Sequence, residues 1–531
     1  MKKIIYILGL FIVMTSCSSG FLKEYSQDLS RVQTYEDLNE LLVGSAYLPL
    51  GLFSNEWSSF QTVNPNFARI HFMSDELDEN LAITLDGDHV GSVRKSYFPY
   101  FTWQQSTFLD NEGKDTYDTF EANTWTLAYE KIGNINMILA ELKNLSPSND
   151  KEILLSKEIA GEAYFLRANY YYMLVNLYGE PYAPSTAAST LGVPVKTTEY
   201  VEDVEYTRNS VQEVYDQINK DLDAAEENLK EVTAPKTIYH AGINAVYLFR
   251  SRIYLYMQDW ANAEKYAKLS LQQNSNLQEL IGFKEDNYPL SSSSPESIYA
   301  NGATTLGNLL IQSPGEEGNS YDTNAPIYSA SAHLYGLYTE EDARKTVYFS
   351  TKDDKDSQQP CYHKIDNSSA SYGKYKTASD VFMLRTPEAY LNLAEAAAQQ
   401  GDNATACQYL NKLRDTRIKN NIAVSLSGAD LMTFIREERE RELCLEGHRW
   451  FDLRRYSVDA NYPFSKVIEH TFTTFVYKSY RYMHQKTEYY RLEKNDKAYT
   501  LNIPKSVREF QVSIGSNERP VRSAFRTVNY Q

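Results

Sequence analysis

Cysteine is scarce in this chain: its 531 residues hold four, Cys17, Cys361, Cys407 and Cys444. No two of them have the CxxC spacing of a structural metal or redox motif, and four spread this widely are no disulfide framework. Positive charge is also in short supply, with 53 Lys and Arg against 70 Asp and Glu and a formal net charge of −17. A surface of that sign repels phosphate backbones, which excludes nucleic acid as a partner. Beyond the first residues no apolar run is long enough to span a bilayer. Tryptophan is rare at 5 residues, whereas tyrosine reaches 43. Tyrosine offers a flat apolar ring with a polar tip, which suits wet binding surfaces as well as cores. The length permits a sizeable core and one to several domains.

Lys2 and Lys3 precede the apolar run Ile4–Met14 and then Thr15-Ser16-Cys17-Ser18. A basic start followed by a short apolar stretch reads as a secretory signal, too short to cross a membrane. Small residues just before Cys17 resemble a bacterial lipobox, with Met14 in the place of the commoner Leu. Residues 1–16 are therefore expected to be a signal peptide and Cys17 a lipidated mature N-terminus, followed by a polar tether over 17–30. Such an anchor attaches a soluble chain to a membrane without a transmembrane helix. The formal charge falls to −19 once Lys2 and Lys3 are removed, and the three remaining cysteines are an odd number. Cys407 and Cys444 lie in helical patterns and read as small buried residues.

Apolar spacings of three and four residues predict helices over Asn123–Leu142, Glu152–Tyr178, Ser210–Leu229, Asn244–Met257 and Ala261–Leu271. The pattern returns near Thr386 with Tyr390, Leu393, Ala394 and Ala397, then Gly401-Asp402, then Ala406, Leu410 and Leu413. Around 259 and 402 the grammar repeats: a turn bearing Asp, then an alanine four residues on, Ala263 and Ala406. Small residues there let paired helices approach closely, as in tetratricopeptide units, although the copies are not at a fixed period. Two inserts interrupt the helices. Residues 44–123 and 291–380 are rich in polar residues and aromatics with little periodicity, and long loops of this kind are usually functional. Thr471–Met483 partly alternates and reads as a strand, with Thr487–Leu501 as its partner. The expected fold is mostly α: a tetratricopeptide-like helix-pair scaffold with long irregular loop inserts and a little β, forming a single domain over 31–531.

The run Glu437–Arg455, EERERELCLEGHRWFDLRR, can be read in two ways. As chemistry, it offers Glu446, His448 and Asp452 as the acids and imidazole of a hydrolase. As structure, it is the charge-paired end of a long helix. A glycosidase needs two carboxylates flanking one bond, roughly 5–9.5 Å apart. Glu446 and Asp452 are six residues apart and do not share a helical face. On a continuous helix Glu446 would lie near Arg449 and Asp452 near His448, a pairing pattern. The structural reading is favoured, and no catalytic residues are assigned.

The same run, EGHRWFDLRR, resembles a motif of the RagB/SusD family of outer-membrane nutrient-uptake lipoproteins of Bacteroidetes. Tyr164–Tyr182, Leu384–Asp402 and the lipobox at Cys17 are similar to other stretches of that family, so the resemblance covers nearly the whole chain. The ending AFRTVNYQ and the Tyr-rich stretch His470–Tyr499 depart from the family pattern. The resemblance implies a SusD-like fold and a surface lipoprotein at the outer membrane. It implies capture of an oligosaccharide, or in some members a peptide, and its transfer to a SusC-like TonB-dependent transporter. It also implies a binder without catalytic residues, whose helix pairs pack against the transporter.

Sugars present polar edges and weakly apolar C–H faces, so their sites need aromatic platforms beside hydrogen-bonding side chains, much as bases stack on rings. Trp125, Trp260 and Trp450 fall in scaffold patterns. Trp57, in Ser54–Ser59, is the preferred platform, followed by Trp103. Tyr321 and Tyr328 in the second insert are further candidates, and Asp75 reads equally as a hydroxyl acceptor or as a turn cap. The acidic balance disfavours a polyanionic glycan unless a local basic patch overrides it. Asp86-Gly87-Asp88 and the acidic run Asp353–Asp356 offer oxygen ligands to calcium, but neither continues into an EF-hand loop, and no cofactor is expected. A surface glycoside hydrolase and a peptide-binding adaptor are the alternatives from other classes.

Overall fold

Side-chain caps start several helices of this chain, and the helices expected from spacing begin within a few residues of their predicted starts. The computed structural model describes residues 32–48, 69–80, 88–114, 120–200, 202–235, 237–284, 288–301, 328–350, 360–365, 382–478 and 481–530. Helix α1 (Tyr35–Leu41) opens on a capping box in which Thr34 accepts from the Asp37 amide. Helices α2 (Arg69–Met73), α3 (Asp88–Phe101) and α4 (Phe120–Leu142) follow. Asn149 caps α5 (Asp150–Tyr178), which ends at Gly179 as expected. Ser210 and Glu213 form the capping box of α6 (Val211–Leu229). Two helix pairs then carry the repeated grammar: α7 (Ile243–Tyr256) with α8 (Trp260–Gln273), and α9 (Thr386–Gln399) with α10 (Asn403–Arg414).

The two connecting turns are built alike. Gln258 and Gly401 adopt left-handed backbones, with φ of 61° and 83°. The next residue in each, Asp259 or Asp402, caps the second helix by accepting from the amide three residues on. Ala263 and Ala406 are fully buried where the paired helices meet. Helix α9 also packs against α8, so the two pairs share one helical layer. Helix α5 lies between α4 and α6, and α6 continues the layer to α7.

Helices α11 (Gly428–Leu443) and α12 (Arg449–Ser457) divide the run expected to be one long helix. Leu445 and Gly447 take left-handed φ values of 56° and 81° and turn the chain between them. Gly447 adopts that conformation freely, whereas Leu445 does so at a steric cost. The charge pairing survives with other partners: Glu446 pairs with Arg385 and Lys364 rather than with Arg449, and Asp452 with Arg439 and Arg455 rather than with His448.

The first insert is more regular than expected, because α2 and α3 lie inside it. Its aromatics Tyr97, Phe98, Tyr100 and Phe101 occupy nearly contiguous positions, which hides the helical period. Short strands tie the inserts to the scaffold. Strand β1 (Leu77–Glu79) pairs with β3 (Tyr328–Ala330), β2 (Ser297–Ala300) with β6 (Met383–Arg385), and β4 (Phe349–Ser350) with β5 (Cys361–Tyr362), all antiparallel. Near the end, β7 (Ile468–Lys478), β8 (Arg481–Leu492) and β9 (Arg526–Asn529) form an antiparallel sheet in that order. The two long strands thus exchange at 478–481, within the span expected to be a single strand. One apolar core extends from Tyr35 to Ile514, and a second lies between α9, α10 and α11. Among the described residues no helix is long and apolar enough to cross a membrane.

Candidate functional site

Strand pairing brings the edges of the sequence-read inserts together. Glu79 and Tyr328 are opposite one another in the β1–β3 register, so the chain at Asn80 and the chain entering Tyr328 stand side by side. Arg69, the first described residue after Leu48, stacks its guanidinium 3.8 Å from the Tyr97 ring centre. Tyr97 in turn lies 6.4 Å from the Tyr328 ring and 4.3 Å from Phe72. Three separate stretches of the inserts therefore begin or end on one aromatic cluster. Arg69, Phe72 and Tyr97 were not singled out from sequence. The dense aromatics before Trp103 were the available signal, but spacing alone could not say which rings meet.

The cluster continues inward as a column. Tyr328 meets Phe101 at 5.1 Å, Phe101 stacks on His470 at 4.0 Å, and His470 stacks on Trp103 at 4.5 Å. Trp103 is fully buried and donates from Nε1 to the Met73 carbonyl at 2.8 Å. Its left-handed φ of 52° is held by this packing. Tyr328 is equally buried, and its hydroxyl has no hydrogen-bond partner among the described residues. Both residues, expected as ligand contacts, instead fill the interior beneath the inserts. Their large rings are worth more to the core than to a wet surface.

Asp75 is likewise not an open acceptor. Its two carboxylate oxygens receive Nε and Nη2 of Arg449 at 2.7 and 2.8 Å, and Lys466 adds a contact at 2.6 Å. Burial pushes the Asp75 carboxyl up, but Arg449 and Lys466 overcome that and hold it well below the usual range. His333 lies 2.8 Å from Glu440 and 3.5 Å from Asp75. Asp75, His333 and Glu440 are thus spaced as metal ligands could be. Arg449 also pairs with Glu440 at 2.8 Å, so fixed cations already satisfy both carboxylates and the set does not suit a metal. Beside them Glu76 accepts from the Leu445 amide at 3.0 Å, and burial raises its carboxyl to about 8. Trp57, Tyr321, Cys17, Asp86 and Asp353–Asp356 lie outside the described residues.

The acids and imidazole of the terminal run sit deep in the protein. Glu446 receives Nε of Arg385 at 2.8 Å and the ammonium of Lys364, and all three side chains are fully buried. Arg385 also reaches Glu442 at 2.6 Å, and Glu442 is shared with Arg344 and Arg417 at 3.0 Å each. Asp452 is held between Arg439 at 2.8 Å and Arg455 at 2.7 Å. Burial alone would raise the Glu446 and Glu442 carboxyls, but the guanidiniums keep both below the ordinary value. Burial, with Arg252 and Arg439 nearby, pushes His448 well down, so its ring is neutral. The cavity touching Glu446, Gly447 and His448 measures about 10 Å³, room for about one water and not for a sugar. These groups are a buried ion network, and acid–base chemistry on a saccharide has no access to them.

Residues 79–255 match a family model described as "Starch-binding associating with outer membrane". Residues 295–517 match the model of the SusD family. The chain belongs to the RagB/SusD family. SusD-like protein P2 of Formosa agariphila is 26% identical over 376 residues, covering 62% of this chain and 70% of that protein. SusD-like protein P38 of the same organism is 24% identical over 385 residues, covering 62% and 71%. The SusD fold is also shared with a SusD superfamily protein of Bacteroides thetaiotaomicron, at a TM-score of 0.65 and 19% identity, over 92% of this chain and all of that one. A SusD-like carbohydrate binding protein of Bacteroides vulgatus gives a TM-score of 0.66 at 19% identity, over 91% and 98%. The two matched ranges take in the α9–α10 pair and the buried ion network, and leave α8 between them.

Proposed function

We propose that this RagB/SusD protein captures oligosaccharides at the outer-membrane surface and hands them to a SusC-like TonB-dependent transporter, without transforming them. The observation that carries this reading is the meeting of the insert edges on the Arg69–Tyr97–Tyr328 cluster, in a family described as starch-binding. A rigid aromatic base under polar, aromatic-rich segments is what a sugar site needs, because a fixed base keeps ring platforms at defined spacing. Trp57 and Tyr321, which precede Arg69 and Tyr328 in the chain, are the proposed contacts. Lipidation at Cys17 would supply the membrane attachment and leave the helix-pair scaffold to meet the transporter. Isothermal titration of the full chain in detergent micelles, against ligands chosen by a glycan array, tests the reading. Loss of affinity in Trp57→Ala supports it, and unchanged affinity removes Trp57 from the site. A chain that binds no saccharide on the array overturns the carbohydrate reading itself.

A further inference from the structure

The outer face of the β7–β8–β9 sheet carries two adjacent rings flanked by two arginines. Arg491 lies 4.3 Å from the Phe525 ring centre, Phe525 lies 6.3 Å from the Tyr489 ring, and Arg526 stacks 3.5 Å over Tyr489. Tyr489 and Arg526 are opposite one another in the β8–β9 register, so the pair is set by the backbone and not by chance rotamers. Phe525 is 47% exposed, and every residue of β9 is exposed. Two residues along the same face, the register pairs Thr487 with Val528, and Tyr530 follows at 44% exposure with its hydroxyl 3.1 Å from Thr487 Oγ1.

The charges on this face are unequal. Arg491 is paired with Glu469 at 2.5 Å, across strands and in solvent. Arg526 has no carboxylate partner among the described residues, although the chain has a surplus of acids. An exposed guanidinium seated over a ring, with no carboxylate partner among the described residues, has less freedom left to lose on binding. Its planar fork matches the two oxygens of a carboxylate or sulfate group. The neighbouring Phe525 and Tyr530 rings offer apolar surface for the C–H face of a sugar.

We infer that this face is a saccharide site distinct from the insert cluster, and that it takes glycans bearing a carboxylate or sulfate on the sugar ring. Arg526 contacts the anion, while the exposed Phe525 ring carries the sugar. The inference rests on the carbohydrate reading above, but it concerns different residues and a different charge class. It also gives the acidic chain the local basic patch that such a ligand requires.

The test titrates the full chain in detergent micelles with oligogalacturonate, with a chondroitin sulfate oligosaccharide, and with a neutral glycan from the array. Arg526→Gln and Phe525→Ser are both surface changes that leave the fold in place. The expected result is that each weakens oligogalacturonate or sulfated-oligosaccharide binding about tenfold or more, as for loss of a charge-assisted bond, with neutral binding unchanged. Arg526→Lys should recover part of the loss, and added salt should weaken the acidic ligands alone. The two acidic arms separate a carboxylate from a sulfate preference. Neutral binding without acidic binding overturns this inference and leaves the carbohydrate reading standing. Acidic binding that both variants retain in full also overturns it, and no binding in any arm overturns both.

Discussion

Arg449 grips Asp75 with two parallel hydrogen bonds, 2.7 Å from Nε and 2.8 Å from Nη2, across 374 residues of chain. The contact ties the terminal run to the strand-bearing segment that supports the first insert. The motif thereby fixes the segment that carries β1 and its pairing with β3.

Removing the guanidinium should therefore cost more than a surface pair would. Arg449→Met leaves Asp75 and Glu440 buried beside only Lys466 and His333. The loss should be about 3–5 kcal/mol, as for breaking a buried pair, read as a lower urea midpoint with unchanged slope. The double variant Arg449→Met, Asp75→Asn should recover a measurable part of it.

Glu446→Gln separates the network from catalysis. The substitution weakens the pairing to Arg385 and Lys364 and should lower the melting temperature. Glycan affinity should not change, because Glu446 lies beneath the cavity of one water and far from open surface. A loss of affinity at unchanged stability would contradict this placement.

Glu76 sets a pH dependence of defined sign. Below its unfolded value of 4.5 both states hold the proton, and the group has no effect. Between 4.5 and about 8 the folded protein keeps a proton that the unfolded chain has released, so stability falls as pH rises. The accumulated penalty is on the order of 5 kcal/mol above that range. Glu76→Gln should remove it, so denaturant melts at pH 5 and pH 8.5 should converge in the variant and differ in the parent.

Gly401→Ala places a Cβ on a left-handed residue with open space around it. The cost should be about 1 kcal/mol, from backbone strain alone. Chemical denaturation checks the value, and glycan binding should be untouched.

Local chemistry made much of the scaffold legible in the sequence. The caps at Asn149 and Ser210, the stop at Gly179 and the repeated Asp turns before Ala263 and Ala406 all act within a few residues, where spacing is decisive. The break at Leu445–Gly447 was missed although Gly447 signalled it, because the charges on both sides read as one helical ladder. The two-strand exchange at 478–481 was displaced for a similar reason: alternation persists through the turn.

The sequence by itself determined the helix-pair scaffold, the family and the pairing of the charged run, since periodicity, capping and motif spacing are properties of neighbouring residues. Only the tertiary structure decided which aromatics face inward. Trp103 and Tyr328 have the surroundings of a binding loop in sequence, yet they are buried by Met73, Phe101 and His470, partners distant in the chain. It likewise decided that Asp75 belongs to Arg449, and that Arg526 stacks on Tyr489 with no carboxylate partner among the described residues. Burial and pairing depend on which distant segments meet, and that meeting is set by the strand registers and the packing of the whole core.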